Sequence, residues 1–399
     1  YYTPTKIIFG RGAEEQTGQL AAEQGCKKVL VHYGGGSVVR SGLLERICRS
    51  LDAAGISYVS LGGVVPNPRL SLVYEGIRLA RKEQVDFILA VGGGSVIDSA
   101  KAIGYGVANE GDVWDFYEKR RTAKACLPIG VVLTIAAAGS EMSDSSVITK
   151  EEGWLKRGYS SNYARARFAV MNPELTMTLP KYQTASGCVD IMMHTMERYF
   201  NHSENMEMTD GISEHLIRTV MKNAKILMNE PDNYQARAEV MWAGSLSHNG
   251  LTGCGTGGGD WASHQLEHEL GGMFDVAHGA TLSAVWGSWA RYVYRIDVSR
   301  FARYGRRVWG IEEEEDEAAA VKAIEKTEDL FRSLHMPVCI GELEIGRSAG
   351  RDPSETGGQC DKGNTILLGA FKKITLRMHM RYTRQLTTTS PEIDWKRIL

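Results

Sequence analysis

The chain has 399 residues, 43% of them hydrophobic and 24% charged, with a formal net charge of −2. That size supports a large buried core and two domains. The near-neutral balance excludes the electrostatic footprint of a nucleic-acid binder or a basic membrane surface, and no apolar run reaches the roughly 20 residues of a membrane span.

The opening YYTPTKIIFG lacks the basic, apolar, small-residue order of a signal peptide. Seven scattered cysteines with no C-x-x-C pair read as reduced thiols. A cytoplasmic location is the expectation from both.

The first 180 residues predict alternating strands and helices. KKVLVHY (27–33) is a β-rich run that ends in GGGS, and a helical pattern follows over 41–55. A second strand is predicted over 56–63 and a helix over 70–84. VDFILAVGGGS (85–95) is a strand running into glycines, and 96–109 restores the helical period. Continuous apolar strands separated by amphipathic helices predict a parallel sheet covered on both faces. Beyond Pro180 strand-like alternation nearly disappears, and helices are predicted over 182–200, 208–229, 234–250 and 261–272. The expected architecture is an α/β nucleotide-binding domain over 1–180 and an all-α metal-binding domain over 181–399. The stretch 339–364 is loop-rich and weakly periodic, and the segment after Thr387 carries no clear motif.

Two glycine turns stand at predicted strand ends. Gly92, Gly93, Gly94 and Ser95 lead directly into a helix, whose N-terminal amides and dipole favour a pyrophosphate. Asp98 falls in the first helical turn, where it can hold the shape of the loop. The other turn is Gly34–Ser37. A carboxylate at this point grips both ribose hydroxyls and favours NAD. None occurs from Tyr33 to Ser41, which leaves room for a 2′-phosphate, with Arg40 as its charge partner. Taken alone, the Gly92–Ser95 turn reads equally well as a plain tight turn, while for Gly34–Ser37 a glycine turn that touches no cofactor is the lesser reading. LTIAAAGSEMS (133–143) offers Thr134 and Ser140 to a nicotinamide pocket, but by itself it reads first as a helix N-cap at Ser140 or Ser143.

The sharpest chemistry lies in the helical half. Asp190 and His194 are four residues apart on one helical face, and His264 and His268 repeat that spacing. His278 follows ten residues later, after the glycines of ELGG, which are expected to break the helix. One carboxylate with several imidazoles suits Fe(II), Zn(II) or a similar divalent ion. Five candidates exceed what an open catalytic site needs, so one histidine is left to move protons. Trp114, Tyr159 and Trp261 read as packing residues first and as pocket walls second.

At these motifs the chain resembles the iron-containing, or group III, alcohol dehydrogenase family, and its NADPH-dependent butanol dehydrogenase and aldehyde reductase branch. The resemblance runs from about Lys6 to about Pro337 through YGGGSVVRSG, VVPNPR, AVGGGSVIDSAK, GSE, TLP, GCVDIMMHTME and HQLEHELGGMFDVAHG. It implies Asp190, His194, His264 and His278 as metal ligands and His268 as a proton relay. It implies Gly93, Gly94, Ser95 and Asp98 at the pyrophosphate, Gly35, Gly36 and Ser37 at the adenosine ribose, and Asn67, Thr134 and Lys156 as further cofactor contacts. Ala138 stands where the family usually has threonine.

The implied activity is NADP(H)-linked interconversion of short-chain primary alcohols, such as butanol, and aldehydes by a homodimer or larger assembly. Two rivals share parts of this pattern. A dehydroquinate synthase-like or glycerol-phosphate dehydrogenase-like enzyme would need Lys and Arg for a phosphorylated substrate, and segments 182–200 and 261–280 are poor in them. A non-catalytic binding protein would have no need of a complete ligand set.

Overall fold

The computed structural model describes residues 1–204 and 206–343, together with the backbone of 367–368 and 374–375. From residue 344 the weakly periodic stretch lies outside the described residues, as does the segment after Thr387. Contacts divide the chain into two compact units, one of Tyr1–Leu179 with Pro231–Asn249, the other of Pro180–Glu230 with the described residues from Gly250 onward.

The first unit is built on a six-stranded parallel sheet. Its strands are β1 (Lys6–Phe9), β2 (Lys28–Gly34), β3 (Ser57–Val64), β4 (Phe87–Gly92) and β5 (Ile129–Leu133), followed, after a β6–β7 hairpin (Ser145–Lys150 and Leu155–Ser160), by β8 (Phe168–Met171). The spatial order is β1-β8-β5-β4-β2-β3. Because side chains alternate along a strand, the sheet feeds two cores. Val29, Val31, Leu89 and Val91 pack with Leu43, Ile47 and Leu51 of one helix layer. Leu30, Ile88, Ala90 and Val131 pack with Val73, Ile77, Ile97 and Ile103 of the other. This is the sheet covered on both faces that the continuous apolar strands require.

Three local features differ from the sequence expectation. The helix predicted over 41–55 runs Leu43–Ala53, and a separate short helix not foreseen there, Ser37–Arg40, precedes it across Gly42 at φ 70°. The glycines of ELGG do not break their helix. It runs through Gly271 and Gly272, both buried, to Phe274 and stops where Asp275 turns left-handed. The helix Tyr234–His248 clusters with the sheet unit rather than with the helices around it in sequence. The cause is a close backbone approach. A Cβ on Gly139 would lie 2.5 Å from the Gly244 carbonyl oxygen, and Ser245 Oγ donates to the buried Glu141.

His32, on β2, is fully buried. Its Nδ1 faces the Leu61 carbonyl and its Nε2 the Ser99 hydroxyl, both at 2.9 Å. Burial pushes the imidazole down from 6.5 to about 4, against the smaller upward pull of the Leu61 carbonyl. The unfolded chain takes up this proton near its ordinary pKa, so the contribution of neutral His32 is complete above that value. It is lost as the pH falls from 6.5 toward 4. Urea unfolding should show the protein losing roughly 2 kcal/mol more than its His32→Gln variant on going from about pH 7 to about pH 4.5. Equal acid sensitivity of the two proteins would refute this.

The second unit is helical. The helix Lys181–Tyr199 packs against Glu207–Asn229 and His278–Val293. Gly279 lets the last of these approach closely, since a Cβ there would lie 2.0 Å from the Ser186 carbonyl oxygen. The C-terminal end of the first is closed by Phe200, stacked on Phe301 at 4.3 Å, and by Arg300, which donates to the Tyr199 carbonyl and pairs with the buried Asp210. Among the described residues no helix is long and apolar enough to cross a membrane.

Candidate functional site

The chain runs outward from β2 to β3 and returns to place β4 on the other side of β2, so strand order reverses between β2 and β4. Ligands of open parallel sheets bind at the C-terminal strand ends beside such a reversal. The register pairs Tyr33 with Val91, so Gly34–Ser37 and Gly92–Ser95 emerge side by side. Gly94 opens the helix Gly94–Ala108.

Side chains are excluded from the second turn. A Cβ on Gly92 would lie 2.4 Å from Val96, and one on Gly94 would lie 2.9 Å from the Ala138 methyl. Thr134 follows β5, and its amide bonds the Gly92 carbonyl at 3.1 Å. Asn67 follows β3, is buried and holds φ 53°. Lys156 is buried on β7 opposite Thr149, whose amide bonds the Pro68 carbonyl at 2.8 Å. The sequence-predicted cofactor residues thus gather at the C-terminal ends of β3, β2, β4 and β5, with Lys156 held beside the Asn67 segment.

Asp98 ties that edge together. Its Oδ1 accepts from Ser140 Oγ at 2.6 Å and its Oδ2 from the Val147 amide at 2.9 Å. Lys101, one turn on and buried, donates to the carbonyls of Ser140, Ser143 and Ser145. Ser140 is 3% exposed and serves this knot. Lys101 was missed at the sequence level, where a lysine three residues after an aspartate reads as a surface pair.

In the second unit four donor atoms converge. His194 Nδ1, His278 Nε2 and His264 Nε2 lie 3.3, 3.5 and 3.9 Å from Asp190 Oδ1. Asp190, His194 and His264 are buried, and their ligand atoms lie within 4.8 Å of one another. The His278 side chain is 28% exposed. His268 is half-buried one turn after His264, its ring 6.4 Å from that of His278. Asp190 Oδ1 and His264 Nε2 are buried without a hydrogen-bond partner among the described residues. Orphaned atoms of this kind are costly unless a ligand satisfies them.

Burial lowers the pKa of His264, but the carboxylates of Asp190 and Glu197 more than offset this and hold it at about 9. An environment that stabilises a positive charge on this ring also suits a cation. The donor set, one carboxylate oxygen and three imidazoles, fits a divalent transition ion.

Sequence reasoning also missed Glu197 and Glu267. Glu197 Oε1 lies 3.1 Å from His264 Nδ1. Glu267 Oε2 lies 2.6 Å from His278 Nδ1, with its side chain 0% exposed. Each acid is three residues from a metal-candidate histidine on the same helix, a spacing also typical of surface helices. Trp114 and Tyr159 are packing residues, sharing an aromatic cluster with Phe116 and Tyr117. Trp261 stands edge-on to His264 at 5.2 Å.

Comparison with known proteins gives family matches over both halves of the chain. Residues 4–173 match "Iron-containing alcohol dehydrogenase" and residues 184–356 match "Fe-containing alcohol dehydrogenase family, C-terminal". The chain belongs to the iron-containing alcohol dehydrogenase family. As a member it is an alcohol dehydrogenase oxidoreductase with a nicotinamide cofactor and a metal site.

It is 41% identical to NADH-dependent butanol dehydrogenase A of Clostridium acetobutylicum, over 87% of this chain and 89% of that protein. It is 34% identical to the NADPH-dependent aldehyde reductase YqhD of Escherichia coli, over the same shares. The solved NADH-dependent butanol dehydrogenase A of Thermotoga maritima superposes with a TM-score of 0.89 at 37% identity, covering 98% of each chain.

Proposed function

We propose that this alcohol dehydrogenase interconverts short-chain primary alcohols and aldehydes with NADP(H), using a divalent Fe(II) or Zn(II) held by Asp190, His194, His264 and His278. The convergence of three imidazole nitrogens within 3.9 Å of the buried Asp190 Oδ1 carries this reading.

When bound, the nicotinamide supplies the hydride and the metal supplies Lewis acidity at the substrate oxygen. The residues of the chain bind, orient and move protons. Gly93, Gly94 and Ser95 receive the pyrophosphate at the helix N-terminus, with Asp98 and Lys101 fixing the neighbouring loop. Asn67, Thr134 and Lys156 line the same strand ends. In aldehyde reduction the carbonyl carbon gains a hydride and its oxygen a proton. His268 passes that proton from solvent through its imidazole, whose ordinary pKa lies near neutrality.

The preference for NADP(H) is supported at the first turn. Gly35, Gly36 and Ser37 present no carboxylate to a 2′-phosphate. A Cβ on Gly36, at φ 146°, would lie 2.8 Å from Arg40 Nη1, so the guanidinium stands over the turn. The named relatives include both NADH- and NADPH-dependent enzymes, so kinetics decide the matter. Butanal reduction should show a higher kcat/KM with NADPH than with NADH. Arg40→Ala should raise KM for NADPH about tenfold, the worth of one charge-assisted contact, and leave that for NADH nearly unchanged. Equal or reversed efficiencies in the unmodified enzyme overturn the cofactor assignment. Absence of any butanal turnover overturns the substrate class.

A further inference from the structure

We infer that Glu267 is a positioning residue that holds His278 in the metal site, with Glu197 doing the same for His264. The inference rests on the four-ligand reading above and deepens it. His278 differs from the other proposed ligands. It opens its own helix at the first residue, His278–Val293. Its side chain is 28% exposed, against 4–7% for Asp190, His194 and His264, and it falls outside the tight buried trio. A ligand at a helix start with an open side has alternative rotamers pointing to solvent.

Its Nδ1 lies 2.6 Å from Glu267 Oε2, a separation at which an imidazole N–H pairs with a carboxylate. With the proton on Nδ1 the ring is the donor and the carboxylate the acceptor. That tautomer leaves Nε2 unprotonated, and Nε2 is the atom aimed at Asp190 Oδ1 at 3.5 Å. Glu197 repeats the device. Its Oε1 receives both the His264 amide, at 3.0 Å, and His264 Nδ1, at 3.1 Å, leaving Nε2 turned toward Asp190.

Both carboxylates are buried, Glu197 at 3% and Glu267 at 0% exposure. Burying an anion is expensive unless a positive charge is held nearby. Three buried acids around three imidazoles form a negative charge distribution that a divalent ion offsets in large part. His264 already has a second anchor in its helical backbone, whose amide Glu197 caps. His278 stands at a helix start with 28% of its side chain exposed and Glu267 at its Nδ1, so the larger consequence of losing an acid is expected there.

The test is a titration of the full-length, metal-stripped protein with Co(II) against a competing chelator, which reads affinity, together with the visible absorption of bound Co(II), which reads coordination. Glu267→Ala should weaken Co(II) binding about 10- to 100-fold, the usual cost of losing an outer-shell partner of a metal-bound histidine. It should also change the intensity of the visible bands. Glu267→Gln retains an oxygen that accepts from Nδ1 and conserves volume. It should recover most of the affinity and guards against a trivial folding defect in the alanine variant.

A structural role elsewhere is separated by coupling. If Glu267 acts through His278, adding Glu267→Ala to His278→Ala should change affinity by less than about threefold, a strongly non-additive result. Weakening in the double variant as large as in Glu267→Ala alone overturns the proposal, as does unchanged affinity in Glu267→Ala. Failure of the unmodified protein to bind any divalent ion overturns the metal reading itself, and this proposal with it.

Discussion

His264→Ala is expected to abolish stoichiometric metal binding and to lower kcat for butanal reduction by on the order of 10³-fold or more, since the lost Lewis acidity is worth several kcal/mol of barrier. His264 is the central ring of the cluster, 4.7 Å from His194 and 5.4 Å from His278 between centroids. Removing it takes away one donor and leaves Glu197 buried without the ring it now faces. Asp190→Asn is the companion variant. It conserves volume while discharging the oxygen on which the three imidazoles converge. Metal content is read by elemental analysis, turnover by oxidation of the reduced nicotinamide cofactor, and fold by circular dichroism. Near-normal turnover in a folded, metal-free His264→Ala protein is the outcome that sinks the assignment.

The candidate cluster was legible in part because spacing carries geometry, while the choice of four among the five candidates came from the resemblance. Residues four apart share a helical face, so Asp190 with His194, and His264 with His268, declared two convergent faces before any tertiary information. The sheet was legible for a similar reason, since its strands are continuous apolar runs such as Val29–Val31 that only a two-sided burial explains. Glu197 and Glu267 were illegible because helical spacing does not reveal burial. An acid three residues from a histidine looks the same on a solvated face. The place of Tyr234–His248 was hidden differently. Its period announces a helix, but its attachment depends on Gly139 meeting Gly244 and on Ser245 meeting Glu141, pairs about a hundred residues apart that no local pattern links. The continuation of the helix past Gly271 and Gly272 has the same origin, because tertiary burial overrides a low helix propensity.

Lys101→Met is expected to destabilise the sheet unit by about 3 kcal/mol and to weaken cofactor binding. Lys101 sits inside the unit at 0% exposure. Its Nζ reaches the carbonyls of Ser140, Ser143 and Ser145 at 2.7, 3.0 and 2.7 Å, with the hydroxyls of Ser140 and Ser143 at 2.9 and 3.3 Å. Two effects oppose each other. Burial pushes the ammonium down from 10.5 to about 8, against the pull of Asp98, Asp144 and Glu141. An isosteric apolar side chain therefore regains roughly 3 kcal/mol of desolvation. The same change strips the shared donor from three carbonyls in a buried loop, at about 1–3 kcal/mol each, while the two hydroxyls can reorient. The carbonyl loss outweighs the gain. The loop it releases runs from Gly139 to Ser145; Ala138 just before it packs on Gly94, and its Ser140 bonds Asp98 in the helix that follows the turn. Loss of stability should therefore appear together with a raised KM for the nicotinamide cofactor and faster hydrogen exchange confined to residues 139–147, while the metal content of the helical unit stays unchanged. A variant as stable as the parent would mean that these carbonyls find other donors, and that Lys101 does not hold the cofactor edge in place.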